Sequence, residues 1–342
     1  MKALVAQQLT GPSGLAYLEV GDPVDPAAVI IDVGAAGVCY PDLLLLHGEY
    51  QMKMEPPFVP GMEVAGVVHA APAESGFTVG QRVSAFTLIG GYASRVAVPP
   101  ANVVATADGL DDAEAASLLG NYYTMYFALH RRGGLRAGET VLVLGSGGGV
   151  GTAAIQIAKA MDAKVIAMVH RPGAIGFVES LGADVVLPLT EGWLEAVKQN
   201  TGGRGVDVVV DPIGGDTFDD AVRALASEGR LLVLGFAAGG IPTVKVNRLL
   251  LRNASVVGVG WGEYFTRTPG AQAEIGAGLG ALVDAGLRPP APVRFPLTDG
   301  VAALQALADG EIHGKLVLEP VMSACAKNRQ PVMSACAKNR QP

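Results

Sequence analysis

Residues 141–151 read VLVLGSGGGVG. A run of valine and leucine breaks into glycines, and the segment that follows, VGTAAIQIAKAM, has the length and period of a helix. Inside the turn lies Ser146-x-Gly148-x-x-Gly151, a Gly-x-Gly-x-x-Gly pattern with serine in the first place. Glycines permit a tight turn and a close approach of backbone to a pyrophosphate. The helix N-terminus adds free N–H groups and the positive end of a dipole. Alone the pattern is weak, and its place between a strand and a helix is what gives it meaning. Ser146, Gly148, Gly149, Val150 and Gly151 are therefore the expected dinucleotide-binding turn.

The surroundings agree. KVIAMVH is followed by IGFVESLGA, DVVLPL by EGWLEAVKQN, VDVVVD by TFDDAVRALA, and RLLVLGF closes the run. The strands are continuous apolar stretches, as in a parallel sheet covered on both faces. Alternation of strand and helix predicts a doubly wound α/β domain. A further strand, ASVVGVGW (254–261), two helices near 269–286 and 298–308, and a last strand at KLVLEP follow. The strand after the glycines ends MVHRPG (168–173), where an NAD site usually carries an acid on the ribose 2′-OH. Here Val169 is followed by His170 and Arg171. Loss of the acid and gain of a guanidinium favour a 2′-phosphate, hence NADPH; the alternative is a solvated arginine at a helix start.

The first hundred residues differ in character. ALVAQQL, AVIIDVGAA, EVAGVVHA, VSAFTL and SRVAVP are short β-type runs separated by Gly, Pro and Asp turns. PDLLLL predicts a short helix with Pro41 in its first turn. DDAEAASLLGNYYTMYFALHRR (111–132) predicts one long helix started by Asp111 and Asp112.

Composition sets outer limits. A chain of 342 residues suggests two domains. With 50% hydrophobic residues it can fill two cores. No apolar run is long enough for a membrane span, no signal peptide stands at Met1-Lys2, and the expected location is the cytosol. A net charge of −7 without basic clusters argues against nucleic acid or an anionic membrane as partner. The three cysteines, Cys39, Cys325 and Cys336, form no disulfide framework. VMSACAKNRQP at 321–331 is repeated at 332–342 and reads as a tail outside the fold, either non-native or flexible.

The segments AAGVCYPDLLLLHGEY, PFVPGMEVAGVV, NYYTMYFAL, GSGGGVGTAAIQIAK, GVDVVVDPIGG and NRLLLRNASVVGVGWGEY together resemble the medium-chain dehydrogenase/reductase superfamily, over residues 1–320. Within it they are most similar to the zinc-independent NADPH:quinone oxidoreductase branch. The resemblance implies a Rossmann-type domain plus a GroES-like β-rich catalytic domain, with the active site in the cleft between them. The expected division is a GroES-like part over 1–120, an NADPH-binding part over 121–263, a return to the catalytic domain over 264–320, and the tail. It also implies a homodimer, with ASVVGVGW as a candidate edge.

PGMEVAG (60–66) raises the question of what the glutamate in an apolar strand does. Where zinc relatives read Gly-His-Glu, this chain reads Gly61-Met62-Glu63, and a thioether is a poor zinc ligand. Cys39 matches a first zinc cysteine, but one thiolate and one carboxylate do not complete a catalytic site, and His47 is expected to face out of its helix. No metal ligand set is expected. Glu63 is read as a buried structural carboxylate satisfied by backbone or by a basic side chain.

Without a Lewis acid, hydride can still go to a quinone or to an alkene conjugated to a carbonyl, given positioning and a hydrogen-bond donor for the growing negative charge. The donors the resemblance suggests are Tyr50, which matches the branch's Gly-x-Tyr segment, then Tyr40, Asp42, Asn121 and Tyr123. Cys39 and His47 depart from the branch's more common asparagine and arginine. Thr124, Gly235, Phe236, Val259, Gly260, Trp261 and Lys315 are the further expected cofactor contacts, Lys315 near a phosphate or else simply exposed. Each tyrosine has a plain alternative, a core or rim residue with its hydroxyl satisfied. Two rival functions stand beside quinone reduction. One is an enone or acrylyl-type thioester reductase, and the other is an NADPH-binding sensor or structural protein with little turnover.

Overall fold

The computed structural model describes residues 1–320; the repeated tail, with Cys325 and Cys336, lies outside them. The β-rich first part contains β1 (Lys2–Ala6), β2 (Leu15–Glu19), β3 (Val29–Val38), β4 (Glu63–Ala70), β5 (Arg82–Phe86), β6 (Arg95–Val98) and β7 (Val103–Ala105). The second part follows with β8 (Thr140–Val143), β9 (Lys164–Val169), β10 (Val185–Pro188), β11 (Val206–Asp211), β12 (Leu225–Val233) and β13 (Ser255–Gly258). The described residues close with β14 (Val293–Pro296) and β15 (Leu316–Glu319). The helices are α1 (Tyr40–Leu46), α2 (Asp112–Ala116), α3 (Asn121–Tyr126), α4 (Gly149–Ala160), α5 (Ile175–Ser180) and α6 (Trp193–Asn200). They continue as α7 (Phe218–Ala224), α8 (Val246–Arg252), α9 (Trp261–Arg267), α10 (Ala271–Asp284) and α11 (Gly300–Ala308).

Strands β8 to β13 form a six-stranded sheet in the order β10-β9-β8-β11-β12-β13, parallel throughout. The order reverses beside β8, the strand that carries the glycine turn, which is where open α/β sheets place a ligand crevice. The strands are apolar along their length because helices cover both faces: Leu142, Ile166 and Val209 bury into one core, and Val141, Val165 and Val208 into the other.

The second sheet has the path β14-β15-β3-β4-β5-β7, with β6 also on β3. Strand β15 pairs antiparallel with β3, Leu316 opposite Val38, so the end of the chain completes the sheet that its beginning started. This is the GroES-like part, and its core gathers Leu4, Ile31, Leu46 and Val64 with Leu304 and Leu318.

Two expectations need correction. The single helix over 111–132 is broken. Asp111 does cap α2, accepting from Glu114 N–H at 2.9 Å, but the helix stops at Ala116 and α3 starts only at Asn121. The cause is distant in sequence: Glu63 Oε2 accepts the N–H of Gly120 at 2.5 Å, drawing it out of any helical ladder. Beyond α3 the backbone widens into a π-type turn over Phe127–Arg132, where Gly133 N–H reaches back to the Ala128 carbonyl. The strand expected over 254–261 is shorter, and Trp261 opens α9 instead. Strands β2, β7 and β14 carried too little periodicity to be read.

The glycine turn has a steric basis. A Cβ on Gly151 would lie 2.3 Å from the Gly145 carbonyl oxygen, whereas one on Gly176 in α5 would meet nothing within 4 Å. Gly151→Ala is therefore expected to lower unfolding free energy by about 1–3 kcal/mol. Gly176→Ala should raise it by roughly 0.5–1 kcal/mol through the unfolded chain and helix propensity. Urea unfolding of both variants checks the pair; equal effects would remove the steric argument.

Candidate active site

Helix α4 begins at Gly149, with the exposed Gly148 in extended conformation before it. Its first ladder bond runs from Thr152 N–H to the Gly148 carbonyl, 2.8 Å. Gly149, Val150 and Gly151 are thus left without intrahelical acceptors for their N–H groups. A side chain on Gly149 would collide with the Asn121 amide, 2.2 Å from its Nδ2, so the start of α3 lies directly against the turn. This cradle of bare N–H groups, with no room for a Cβ at Gly149 or Gly151, suits the pyrophosphate of a dinucleotide.

Ser146 belongs to the turn in another way than a phosphate ligand would. It is fully buried, and its hydroxyl donates to the Val143 carbonyl at 2.8 Å, fixing the exit from β8. Thr124 likewise donates to the Gly120 carbonyl one helical turn back, 2.6 Å. His170 and Arg171 follow β9, next to β8 in the sheet, and both are exposed. The Arg171 guanidinium donates to the carbonyl of Gly310, just past α11. Gly314 N–H donates to the Gly147 carbonyl at 2.9 Å, so the 310–314 loop of the catalytic part borders the glycine turn.

Gly235 and Phe236 follow β12 beside the turn after β11, where Ala237 N–H donates to the Pro212 carbonyl at 3.1 Å. Val259 continues from β13 and donates to the Val233 carbonyl, 2.9 Å. Trp261 is buried in an aromatic group, its ring centroid 5.9 Å from Tyr123, 5.7 Å from Phe127 and 5.7 Å from Phe265. The sheet thus brings the expected segments after β8, β9, β11, β12 and β13 to one edge.

Lys315 is neither exposed nor aimed at solvent near a phosphate. Its ammonium is buried, forms an ion pair with Glu63 Oε1, and donates to Cys39 Sγ at 3.1 Å. Burial works against its charge, but Cys39 and Glu63 beside it prevail and hold its pKa above the ordinary lysine value. Burial, reinforced by Glu63, pushes the Cys39 thiol well above its usual range. The thiol stays protonated and donates to Glu63 Oε1 at 3.1 Å. The expectation for Glu63 holds in full: one oxygen takes backbone Gly120, the other a lysine and a thiol. This donor set does not suit zinc, because an ammonium already sits on the sulfur and Met62 replaces imidazole. Among the described residues no three His, Cys, Asp or Glu side chains converge as a metal cluster.

The expected substrate donors separate. Tyr50 is half-buried and packs against both cores, where the two parts of the chain meet. Burial raises its pKa, so it stays a phenol. Tyr40 is 45% exposed at the first position of α1. Asp42 faces inward: it is fully buried and accepts the Cys39 N–H and the Tyr92 hydroxyl, each at 2.8 Å. Burial pushes its pKa up to about 6; its Oδ2 caps the start of α1, and its Oδ1 has no hydrogen-bond partner. Tyr123 is buried, its pKa pushed up to about 12 by desolvation. Its hydroxyl turns toward Gly276 of α10, 2.7 Å from where a Cβ would stand, and away from the Asn121 contact with the turn. Sequence reasoning missed Tyr92, fifty residues from its partner Asp42, and the contacts of Gly310 and Gly314. No local pattern marks any of them.

Known proteins carry the same organisation. Residues 25–108 match the alcohol dehydrogenase GroES-like domain and residues 149–275 the family named zinc-binding dehydrogenase. Quinone oxidoreductase-like protein 2 of Bos taurus is 38% identical over 71% of this chain and 70% of its own length. The crystal structure of a probable oxidoreductase from Mycobacterium abscessus is 61% identical, with a TM-score of 0.87 over 94% of this chain and 99% of that one. The quinone oxidoreductase from Thermus thermophilus, solved also in complex with NADPH, is 34% identical, with a TM-score of 0.81 over 93% of this chain and all of that one (100%).

The Glu63–Lys315 pair sets a stability test. Lys315→Met leaves a buried carboxylate without its cation and is expected to lose about 3–5 kcal/mol; adding Glu63→Gln should recover much of that. Chemical unfolding of single and double variants measures it. A single variant as stable as the parent would show that the pair does not hold these segments. The chain belongs to the medium-chain dehydrogenase/reductase superfamily, in its quinone oxidoreductase-like branch.

Proposed function

We propose that this chain is an NADPH-dependent reductase that delivers hydride to quinones or to alkenes conjugated to a carbonyl, without zinc. The observation that carries the reading is the buried Lys315 ammonium lodged on Cys39 and Glu63. A dication beside it would be repelled, and a simple ketone would find no Lewis acid to polarise it. An acceptor that spreads negative charge over its own conjugated system needs less help.

When bound, NADPH supplies the hydride. Gly149, Val150 and Gly151 would hold its pyrophosphate by backbone N–H groups, with the bare Gly148 beside them allowing close approach, and His170 and Arg171 would take the 2′-phosphate. For this Arg171 exchanges the Gly310 carbonyl for the phosphate. Asn121, Gly235, Phe236, Val259 and Gly260 border the nucleotide, and Trp261 backs them with a rigid aromatic wall. Tyr50 donates a hydrogen bond to the acceptor oxygen as charge grows on it, with Tyr40 at the rim; water returns the final proton.

NADPH oxidation, followed optically in chelated buffer with a benzoquinone, a cyclic enone, a simple ketone and no acceptor, tests this. Turnover with quinone or enone but not ketone is expected. Arg171→Asp should raise KM for NADPH by about tenfold or more, with KM for NADH nearly unchanged, as for loss of a charge-assisted contact. Ketone turnover that depends on zinc, or bound NADPH with no acceptor-dependent turnover, would overturn the proposal.

We also propose a homodimer. Strand β13 is an edge of the six-stranded sheet. In adjacent α8, Val246, Leu250 and Leu251 are 71%, 76% and 80% exposed. Such an edge and apolar face call for cover. Sedimentation is expected to give twice the chain mass at micromolar concentration; monomer alone would exclude it.

A further inference from the structure

The catalytic part sends one segment back over the nucleotide edge of the parallel sheet. It is the strap Gly310–Lys315, between α11 and β15. Three contacts fix its path. The Arg171 guanidinium donates to the Gly310 carbonyl. Gly314 N–H donates to the Gly147 carbonyl at 2.9 Å, and Gly148 pairs with Gly314 in a short parallel bridge. Lys315, the next residue, is locked on Glu63. A strap held at both ends has little freedom between them.

His313 lies between those ends, and nothing local in the sequence marks it. Its ring stacks on Phe177 of α5, with centroids 5.8 Å apart and planes 22° apart. The residue is half-buried, and its Nδ1 stands 3.9 Å from where a Cβ on Gly147 would be. The same Cβ would lie 3.1 Å from the Ala174 side chain. At Gly147, therefore, the glycine turn, the segment after β9 and the strap all meet. That segment carries His170 and Arg171. In a dinucleotide fold this corner receives the ribose 2′ position, because the residues after the second strand are the ones that read it.

We propose that His313 is a specificity residue for the 2′-phosphate of NADPH, supplied by the catalytic part. A ring N–H donates to the phosphate that Arg171 holds from the other side. The inference rests on NADPH as the cofactor. The Gly310 oxygen on Arg171 shows that an acceptor between strap and sheet reaches the guanidinium. Phe177 keeps the imidazole from swinging into solvent, so the donor is pre-organised. A 2′-hydroxyl has neither the charge nor the acceptor oxygens of a phosphate, so NADH gains little from the residue. Glu311, the strap's acidic residue, is exposed, where water and salt screen its repulsion of a phosphate.

The test is equilibrium binding of NADPH, NADH, adenosine 2′-monophosphate and adenosine 5′-monophosphate to the full chain, by nicotinamide fluorescence and calorimetry. His313→Leu keeps bulk against Phe177 and removes the donor. It should weaken NADPH and the 2′-monophosphate by about tenfold, as for one charge-assisted hydrogen bond, and leave NADH and the 5′-monophosphate within about twofold. His313→Arg should restore most of the loss. Unchanged NADPH binding, an equal loss of NADPH and NADH, or a His313→Arg protein no better than His313→Leu would each overturn the proposal. An equal loss marks a displaced strap rather than a missing ligand. Should His313→Leu fail to fold, His313→Ala takes its place in the same comparison. A parent that binds NADPH no better than NADH removes the role of Arg171 and this one together. Selective loss of NADPH in Arg171→Asp, without it in His313→Leu, overturns this proposal alone.

Discussion

One carboxylate ties this molecule together. Glu63 sits at the start of β4, and three remote segments converge on it. The N–H of Gly120 takes one oxygen, and the Lys315 ammonium and Cys39 thiol share the other. A buried carboxylate is tolerable only if each lone pair is met, so the three segments must arrive together. Gly120 precedes α3, whose first residue touches the glycine turn. Lys315 precedes β15, which closes the β-rich sheet. The same contact that satisfies a charge therefore sets how the nucleotide-binding sheet meets the catalytic part.

Sterics at the turn complete the arrangement. The bare backbone of Gly149 admits the Asn121 amide, and that of Gly151 admits the Gly145 carbonyl. Side chains at either place would push α4 from β8, and with it the free N–H groups that make an anion site. The Lys315 ammonium, meanwhile, places one positive charge between Glu63 and Cys39 at the same junction.

Much of this was legible in the sequence. The parallel sheet announced itself through apolar runs of strand length alternating with helical segments, and the turn through SGGGVG between the two. Arg171 could be placed after β9 because the acid normally found there is missing. A satisfied, structural Glu63 followed from the neighbouring Met62. Other parts were not legible. The long helix over 111–132 is good in propensity and period, yet a carboxylate from a different strand breaks it at Gly120. Asp42 and Tyr92 are ordinary residues in sequence and buried partners in space. Tyr123, two residues after Asn121 in the chain, turns to a different helix, because side chains two apart on a helix point about two hundred degrees apart.

The sequence by itself determined the two architectures, the nucleotide turn and the absence of a histidine before Glu63. Those depend on patterns within a few residues: period, glycine spacing and strand length. Only the tertiary structure decided which hydroxyls are free, which carboxylate is a cap, and that Lys315 belongs to Glu63, 252 residues away. Burial and pairing are properties of the assembled core, where desolvation makes each charge seek a partner that chain order does not specify.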